Sequence, residues 1–476
     1  MAGEVKEKCA VAAVLANDGE PIAAGMLYES LFAMQHRGTE ASGIAAMQED
    51  YSIRAHCGLG MVRDVYNQET IQNLGGVVGV GHNRYSTSGS KIDHPQPIRD
   101  TAIGFAFAHN GNLPVTDELE QDLQRHGIHH RNLNDSEMAG LSIAQNIRQG
   151  LDLPTAVEKT YPLMHGAFSC VAMHDGSIVA FRDPHGIRPL AIGRFDGGYV
   201  VSSETCGLDI VDATYEREVE PGEVVVITNN TIESYQLAEP NPKLDMFEFV
   251  YFARHDSQLY GQSVNEVRRK MGQQLAEEHG SIVNNTKNAL VVPVPDTSIP
   301  AAEGYAERLG LLQRQAIIKN RYIGRTFIQP SNSTRRKNLR RKHNIIPEAV
   351  QGKDVILMDD SIVRLNTIPR LVALAKQAGA RTVSVLIASP PVRYPDHYGI
   401  DTPHQKELAA AVMTVEQMRE RIDCEYLGFL SLTGLVKATG MPADMFNLSC
   451  FNGEYPVDIG CHADGIQSPV SMEYVD

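Results

Sequence analysis

At 476 residues with a formal net charge of −15, the chain is long enough for two or three domains and too acidic for general nucleic-acid binding, which needs a basic footprint. Hydrophobic residues make up 42% and charged residues 21%, no tract is of low complexity, and no apolar run is long enough to span a bilayer. The seven cysteines, at 9, 57, 170, 206, 424, 450 and 461, are odd in number and lack C-x-x-C spacing, so they read as reduced thiols rather than a disulfide framework or zinc site.

Residues 1–8 are charged and carry no apolar segment of the secretory kind, so a cytoplasmic protein is expected. From Cys9 to about residue 237 the sequence is a series of short apolar runs between turn residues. Strands are predicted at 10–16, 76–82, 104–108, 168–174, 177–181, 198–203 and 223–228, with helices near 25–34 and 136–148. Strands interrupted by few helices suggest an α+β layer arrangement, sheets packed against helices. The polar, proline-rich stretch Glu239-Pro-Asn-Pro-Lys243 marks a boundary. Beyond it, helix and strand alternate: a helix at 262–279, a buried strand at 289–294, strands at 354–358 and 382–388, and between these a helix at 367–378. That order predicts a right-handed parallel βαβ unit with ligands at the carboxyl ends of its strands.

In Val355-Ile-Leu-Met-Asp-Asp-Ser-Ile-Val-Arg-Leu-Asn-Thr367 a strand ends in two carboxylates and a short loop leads into a helix. Acidic groups at a strand tip, beside backbone N–H groups at a helix start, can hold ribose hydroxyls and a phosphate side by side. Alone, the pair also suits a surface turn with a helix cap. A basic stretch, Arg335, Arg336, Lys337, Arg340, Arg341, Lys342 and His343, reads either as a solvated loop or as a clamp for a polyanionic small ligand.

The loop resembles that of the type I phosphoribosyltransferases. More narrowly, the whole chain resembles the amidophosphoribosyltransferases (glutamine phosphoribosylpyrophosphate amidotransferases). Supporting segments are Tyr251-Phe-Ala-Arg254, Pro293-Val-Pro-Asp-Thr-Ser298, 319–330, Ser389-Pro-Pro391 and Tyr398-Gly-Ile-Asp-Thr402. The resemblance implies an N-terminal-nucleophile glutaminase domain over residues 9–237 after a removable leader, 1–8, and an α/β phosphoribosyltransferase domain with a parallel sheet over 244–476. It places Asp296, Thr297 and Ser298 at the pyrophosphate of phosphoribosyl pyrophosphate, and Asp359 and Asp360 at the ribose. Ser361, Arg364, Leu365, Asn366 and Thr367 then surround the 5′-phosphate, Lys342 belongs to a closing basic loop, and Thr297, Asp359 and Asp360 surround Mg²⁺.

In the first half the same resemblance makes Cys9 the nucleophile, its freed α-amino group the base, and the Asn110 side chain with the Gly111 N–H the oxyanion hole. Arg84, in His82-Asn-Arg-Tyr-Ser-Thr-Ser-Gly89, would pair with the α-carboxylate of glutamine, and Asp135 with its α-ammonium. The implied reaction converts glutamine, water and phosphoribosyl pyrophosphate into 5-phosphoribosylamine, glutamate and pyrophosphate, the first step of de novo purine synthesis. Purine nucleotides are implied as feedback inhibitors, and a homo-oligomer, tetramer or dimer, as the assembly; no nucleic acid or membrane partner is expected.

Three departures stand out. The family's phosphate loop reads Arg-Gly-Thr-Thr, and here it is Arg364-Leu-Asn-Thr367. Leucine is poorly suited to positive φ, so Leu365 puts the phosphate site in question. His255 stands where proline is usual, and Ala10 where glycine is common. Some members hold an iron–sulfur cluster on four cysteines; the matching positions here are Asp245, Asp396, Asn447 and Cys450, so no cluster is expected. Leu365 leaves two alternatives: a divergent paralogue with an intact glutaminase and another acceptor, or a nucleotide-binding regulator.

Overall fold

A computed structural model describes residues 9–17, 19–84, 95–229, 231–283, 288–320, 343–399 and 404–470. The leader at 1–8, the Tyr85–Gly89 part of the glutamine motif, most of 319–330, the basic stretch as far as Lys342, and 400–402 lie outside these residues.

The first half is two antiparallel sheets packed face to face. One sheet has seven strands in the order Thr214–Glu218, Ala191–Phe195, Gly198–Ser202, Ala10–Ala16, Val78–Arg84, Ala41–Met47, Ile53–Leu59. The other has six: Ile232–Gln236, Glu223–Ile227, Ser177–Arg182, His165–His174, Phe105–Val115, Ile98–Asp100. Alternation decides what goes where, because successive side chains of a strand point to opposite faces. Val11, Ala13 and Leu15 enter the space between the sheets with Ala106, Ala108, Val171 and Met173. Ala10, Ala12 and Val14 face outward against the helix Ala23–Ala33. On the far side Phe105, Phe107, Phe168 and Phe181 pack under the helices Asp117–Arg125, Asp135–Arg148 and Leu153–Thr160. The result is a four-layer helix–sheet–sheet–helix sandwich.

Cores of different make-up begin at Leu244. A five-stranded, all-parallel sheet runs in the order Leu312–Gln313, Ala289–Pro293, Asp354–Asp359, Thr382–Ile387, Leu427–Phe429. Ile356 and Met358 face the helices Val264–His279, Ile299–Leu309 and Leu432–Thr439; Val355 and Leu357 face Ile368–Gln377 and Val415–Ile422. Both faces are covered, which is the usual condition of a parallel sheet. After the last of these helices the chain returns to the first half. Ile459 packs with Ala167, Ile187 and Tyr398, and the Tyr398 hydroxyl meets the Val457 carbonyl at 2.5 Å.

His82 lies in the middle of the sandwich, fully buried, with no hydrogen-bond partner at either ring nitrogen among the described residues. Burial, with Arg84 and His109 adding, pushes its imidazole down from 6.5 to about 3. Between those pH values the unfolded chain takes a proton that the folded chain refuses, so stability is full above about pH 6.5 and lost as pH falls through the window. The urea midpoint, followed across this range, is expected to fall with acid, and His82→Leu is expected to flatten that limb. An unchanged slope in the variant would assign the acid lability elsewhere.

Candidate functional site

Cys9 precedes the strand Ala10–Ala16, which lies between Gly198–Ser202 and Val78–Arg84, so the thiol sits at the mouth of a fixed sheet. Ala10 faces Asn83 in register, and Arg84, the next residue, faces Ala41. Arg84 is thereby brought to the same sheet end as Cys9. The turn after the first helix, Gln35-His-Arg-Gly38, closes on this end. A Cβ at residue 38 would stand 2.7 Å from the Asn83 carbonyl carbon, so glycine permits the approach.

The proposed oxyanion pair lies on the longest strand of the other sheet, Phe105–Val115. Asn110 is buried, and its side-chain nitrogen has no hydrogen-bond partner among the described residues, an orphan donor of the kind an anion site requires. Gly111 has φ +154°, and a Cβ there would lie 1.9 Å from the Ala167 carbonyl oxygen. Glycine is demanded first by the neighbouring strand, a reason the sequence did not disclose. Asp135 opens the helix Asp135–Arg148, whose N-cap Asn134 forms a capping box with Glu137. Its Oδ2 accepts the Leu113 N–H at 3.0 Å, two residues beyond Gly111.

Arg37 joins this end of the molecule to the second half. Its Nε donates to the Cys9 carbonyl at 3.0 Å; its other nitrogens reach Glu204 at 2.6 Å and Glu248 at 2.7 and 2.9 Å. Arg188 donates to Glu248, Asp245 and twice to the Tyr398 carbonyl. All five charged partners, Arg37, Arg188, Glu204, Asp245 and Glu248, are at most 1% exposed. Burial opposes the charge on Glu204, yet His36 and Arg37 hold its carboxyl well below the usual range. The sequence had not singled out Arg188, Glu204 or Glu248; each lies far along the chain from its partner, and a single charge among apolar residues carries no periodic signal.

In the second half a cavity of about 830 Å³ is lined by Asp296, Thr297, Asp359, Asp360, Ser361, Arg364, Leu365, Asn366 and Thr367. His36, Tyr251, Phe252, Arg254, His255, Arg268, Lys319 and His343 line it as well. The Thr297 hydroxyl donates to Asp360, and Ser361 donates to the other oxygen of that carboxylate at 2.7 Å. Lys319 stands 3.6 Å from Asp296. The Ser298 side chain serves the fold. It is fully buried, and its hydroxyl lies 2.6 Å from the Val294 carbonyl and 2.9 Å from the Met358 carbonyl, fastening two strand ends outside the cavity lining. His255 is half-buried with Nδ1 3.3 Å from an Arg268 nitrogen; because guanidinium only donates, Nδ1 accepts and the proton is on Nε2. Burial and Arg268 both push His255 below its ordinary value, so it is neutral at pH 7.

Leu365 adopts φ +51°, the left-handed conformation its place in the loop calls for. Its side chain is 6% exposed and joins Ile362 and Ile368 in the core behind the loop. The expectation that leucine would resist this backbone is met by compensation: strain of roughly 1–2 kcal/mol is offset by side-chain burial of similar or larger size. Pro369 falls in the first turn of Ile368–Gln377, where no N–H is needed. Of the positions matched to cluster cysteines, Asp245 and Asn447 face each other in a two-residue parallel ladder, and Asp245 takes Arg188 at 3.1 Å.

Among the described residues no group of three or more His, Cys, Asp or Glu forms a metal cage. Two adjacent carboxylates and a hydroxyl do match Mg²⁺, which commonly takes one or two carboxylates and fills its shell with water and phosphate oxygens. No helix among the described residues is long and apolar enough to cross a membrane.

Residues 82–209 match a family model described as a glutamine amidotransferase domain. The chain is 43% identical over 462 residues to the amidophosphoribosyltransferase of Synechococcus elongatus, covering 95% of this chain and 92% of that protein. It is 39% identical over 452 residues to the protein of the same name from Methanocaldococcus jannaschii, covering 91% and 94%. The solved glutamine phosphoribosylpyrophosphate amidotransferase from B. subtilis, complexed with ADP and GMP, superposes with a TM-score of 0.85 at 36% identity over 97% of this chain and 99% of that one.

Leu365→Gly is expected to relieve the strained φ but forfeit the buried side chain, a net loss of about 1–3 kcal/mol. Thermal unfolding should show a lower midpoint, with the KM for phosphoribosyl pyrophosphate within a few-fold of the parent. A large gain of activity in the glycine variant would instead mean that leucine had disabled the loop.

Proposed function

The chain belongs to the amidophosphoribosyltransferase family, and from that premise we propose how its residues divide the work. The enzyme transfers ammonia from glutamine to phosphoribosyl pyrophosphate, giving 5-phosphoribosylamine, glutamate and pyrophosphate, the first step of purine synthesis. Neither alternative raised by Leu365 gains support, since the loop keeps the backbone form that glycine would give it.

In the glutaminase step the Cys9 thiolate attacks the side-chain amide carbon of glutamine. Negative charge gathers on the amide oxygen, where the orphan Asn110 Nδ2–H and the Gly111 N–H receive it. Collapse expels ammonia, its third hydrogen coming from the base, and leaves a thioester that water hydrolyses to glutamate. The base is the α-amino group of Cys9, once residues 1–8 are gone; its near-neutral pKa suits the transfer. Arg84 pairs with the α-carboxylate and Asp135 with the α-ammonium, the matched charges of a zwitterion.

In the second step Asp359 and Asp360 hold the ribose hydroxyls, and the loop 361–367 holds the 5′-phosphate. Thr297, Asp359 and Asp360 are the residues that would hold Mg²⁺, which when bound neutralises charge on the departing pyrophosphate. Ammonia adds at C1 as the bond to pyrophosphate breaks, and its extra proton passes to solvent or a cavity base. Lys342 and the basic stretch before it are assigned to closure over the substrate by resemblance alone. Purine nucleotides are assigned as inhibitors by analogy with the ADP and GMP of the B. subtilis complex. A homo-oligomer and a cytoplasmic location complete the reading.

One observation carries it. His36 lines the same cavity as Asp359 and Asp360, and the next residue, Arg37, grips the Cys9 carbonyl. Nucleophile and acceptor site are thus joined through two adjacent residues, which favours delivery of ammonia inside the protein.

Cys9→Ala is expected to lower glutamine-dependent pyrophosphate release on the order of a thousandfold or more, while ammonium salts at alkaline pH still support the second step. Persistent glutamine breakdown in this variant would defeat the assignment. Intact-mass spectrometry of the active enzyme is expected to show a chain starting at Cys9. Retention of residues 1–8 in fully active protein would exclude the α-amino group as base.

A further inference from the structure

Beside the carboxylate of Asp135 lies a small polar cluster that the proposed reaction does not use. Gln96, His109 and Ser136 are 7%, 1% and 5% exposed, and they come from three different elements. The Gln96 side-chain oxygen accepts the His109 backbone N–H at 2.7 Å, and its nitrogen donates to the Ser136 hydroxyl at 3.2 Å. His109 Nδ1 lies 2.9 Å from that hydroxyl, and Nε2 lies 3.3 Å from the Ala167 carbonyl.

Counting protons gives the cluster a direction. A carbonyl oxygen only accepts, so Nε2 carries the hydrogen, and Nδ1 of a neutral imidazole must then accept. The one Ser136 proton therefore goes to Nδ1, and the Ser136 oxygen receives the Gln96 amide. Asp135 Oδ1, 3.4 Å from the same hydroxyl, is denied that proton, while Oδ2 is occupied by the Leu113 N–H. Among the described residues the carboxylate is thus fixed through Oδ2, with Oδ1 held only at the long end of hydrogen-bond range. It sits beside the strand that carries Asn110 and Gly111.

We propose that Gln96, His109 and Ser136 are positioning residues that lock the His109 tautomer and thereby reserve Asp135 for the α-ammonium group of the amide substrate. They would set selectivity for an α-amino acid amide over the same amide without the amino group. Without the Ser136 proton to fix the tautomer, His109 Nδ1, 3.8 Å from Asp135 Oδ2, can carry the ring hydrogen and turn it toward the carboxylate in competition with the substrate. The inference rests on the proposed role of Asp135.

The test compares L-glutamine with glutaramate, which lacks the α-amino group, in the full-length enzyme. Ser136→Ala and His109→Gln are expected to raise the glutamine KM about tenfold with little change in kcat, and to leave glutaramate hydrolysis unchanged. His109→Asn, which keeps a polar atom near the Nδ1 position, should restore most of the selectivity. Ammonia-dependent pyrophosphate release, a property of the other half, reports that each variant is folded. Equal losses on both substrates would overturn the proposal, because a merely structural role does not sense the amino group. Asp135→Asn is run alongside. If it is selective and the cluster variants are not, the proposal alone fails; if it too affects both substrates alike, the assignment of Asp135 fails and the proposal falls with it.

Discussion

Arg37 leaves the turn after the first helix and meets, with one planar group, the carbonyl of Cys9, a carboxylate of the first half and a carboxylate of the second. A guanidinium suits this role because its donors form a rigid fork that does not lose its charge. Out of water the group is tolerable only with its partners in place. Removing one partner of such a buried pair typically costs about 3–5 kcal/mol, because the other charge is left stranded. Arg37, Glu204, Glu248 and Arg188 are therefore less a source of stability than a condition on geometry: all align, or none can stay buried.

That condition fixes the distance between the two chemistries. The strand Phe105–Val115 is held because it lies inside a sheet and tolerates only glycine at 111, opposite the Ala167 carbonyl. The phosphate loop gets the same result by a different route. Its left-handed residue is a leucine, so the conformation is enforced from behind by core packing rather than permitted by a missing side chain. One site excludes alternatives by crowding in front of the backbone and the other by anchorage at its back.

Much of this could be read in the sequence. The strand 10–16 coincides with Ala10–Ala16, and the helices at 136–148 and 262–279 lie within two residues of Asp135–Arg148 and Val264–His279. The strand at 104–108 was cut short, because Asn110-Gly111 has the composition of a turn; pairing with His165–His174 overrides that preference and carries the strand to Val115. Ile53–Leu59 and Thr214–Glu218 went unseen because they are sheet edges, half exposed and weakly apolar. Ala41–Met47 is fully buried, but its alanines, serine and glycine make no strong pattern. Among site residues, those within compact motifs were legible, whereas Glu204, Glu248 and Arg188 matter only through partners that the fold brings from far along the chain.

The closing stretch of the chain has a bearing on how the molecule is made. Ile187, between the strands Ser177–Arg182 and Ala191–Phe195, is covered by Tyr398 and Ile459, and the Asn112 amide, next to Gly111, is capped by the His397 carbonyl at 2.8 Å. A ribosome delivers these covers more than two hundred residues after the surfaces they seal. Synthesis as far as Ile459 is thus a precondition for closing this flank of the first half.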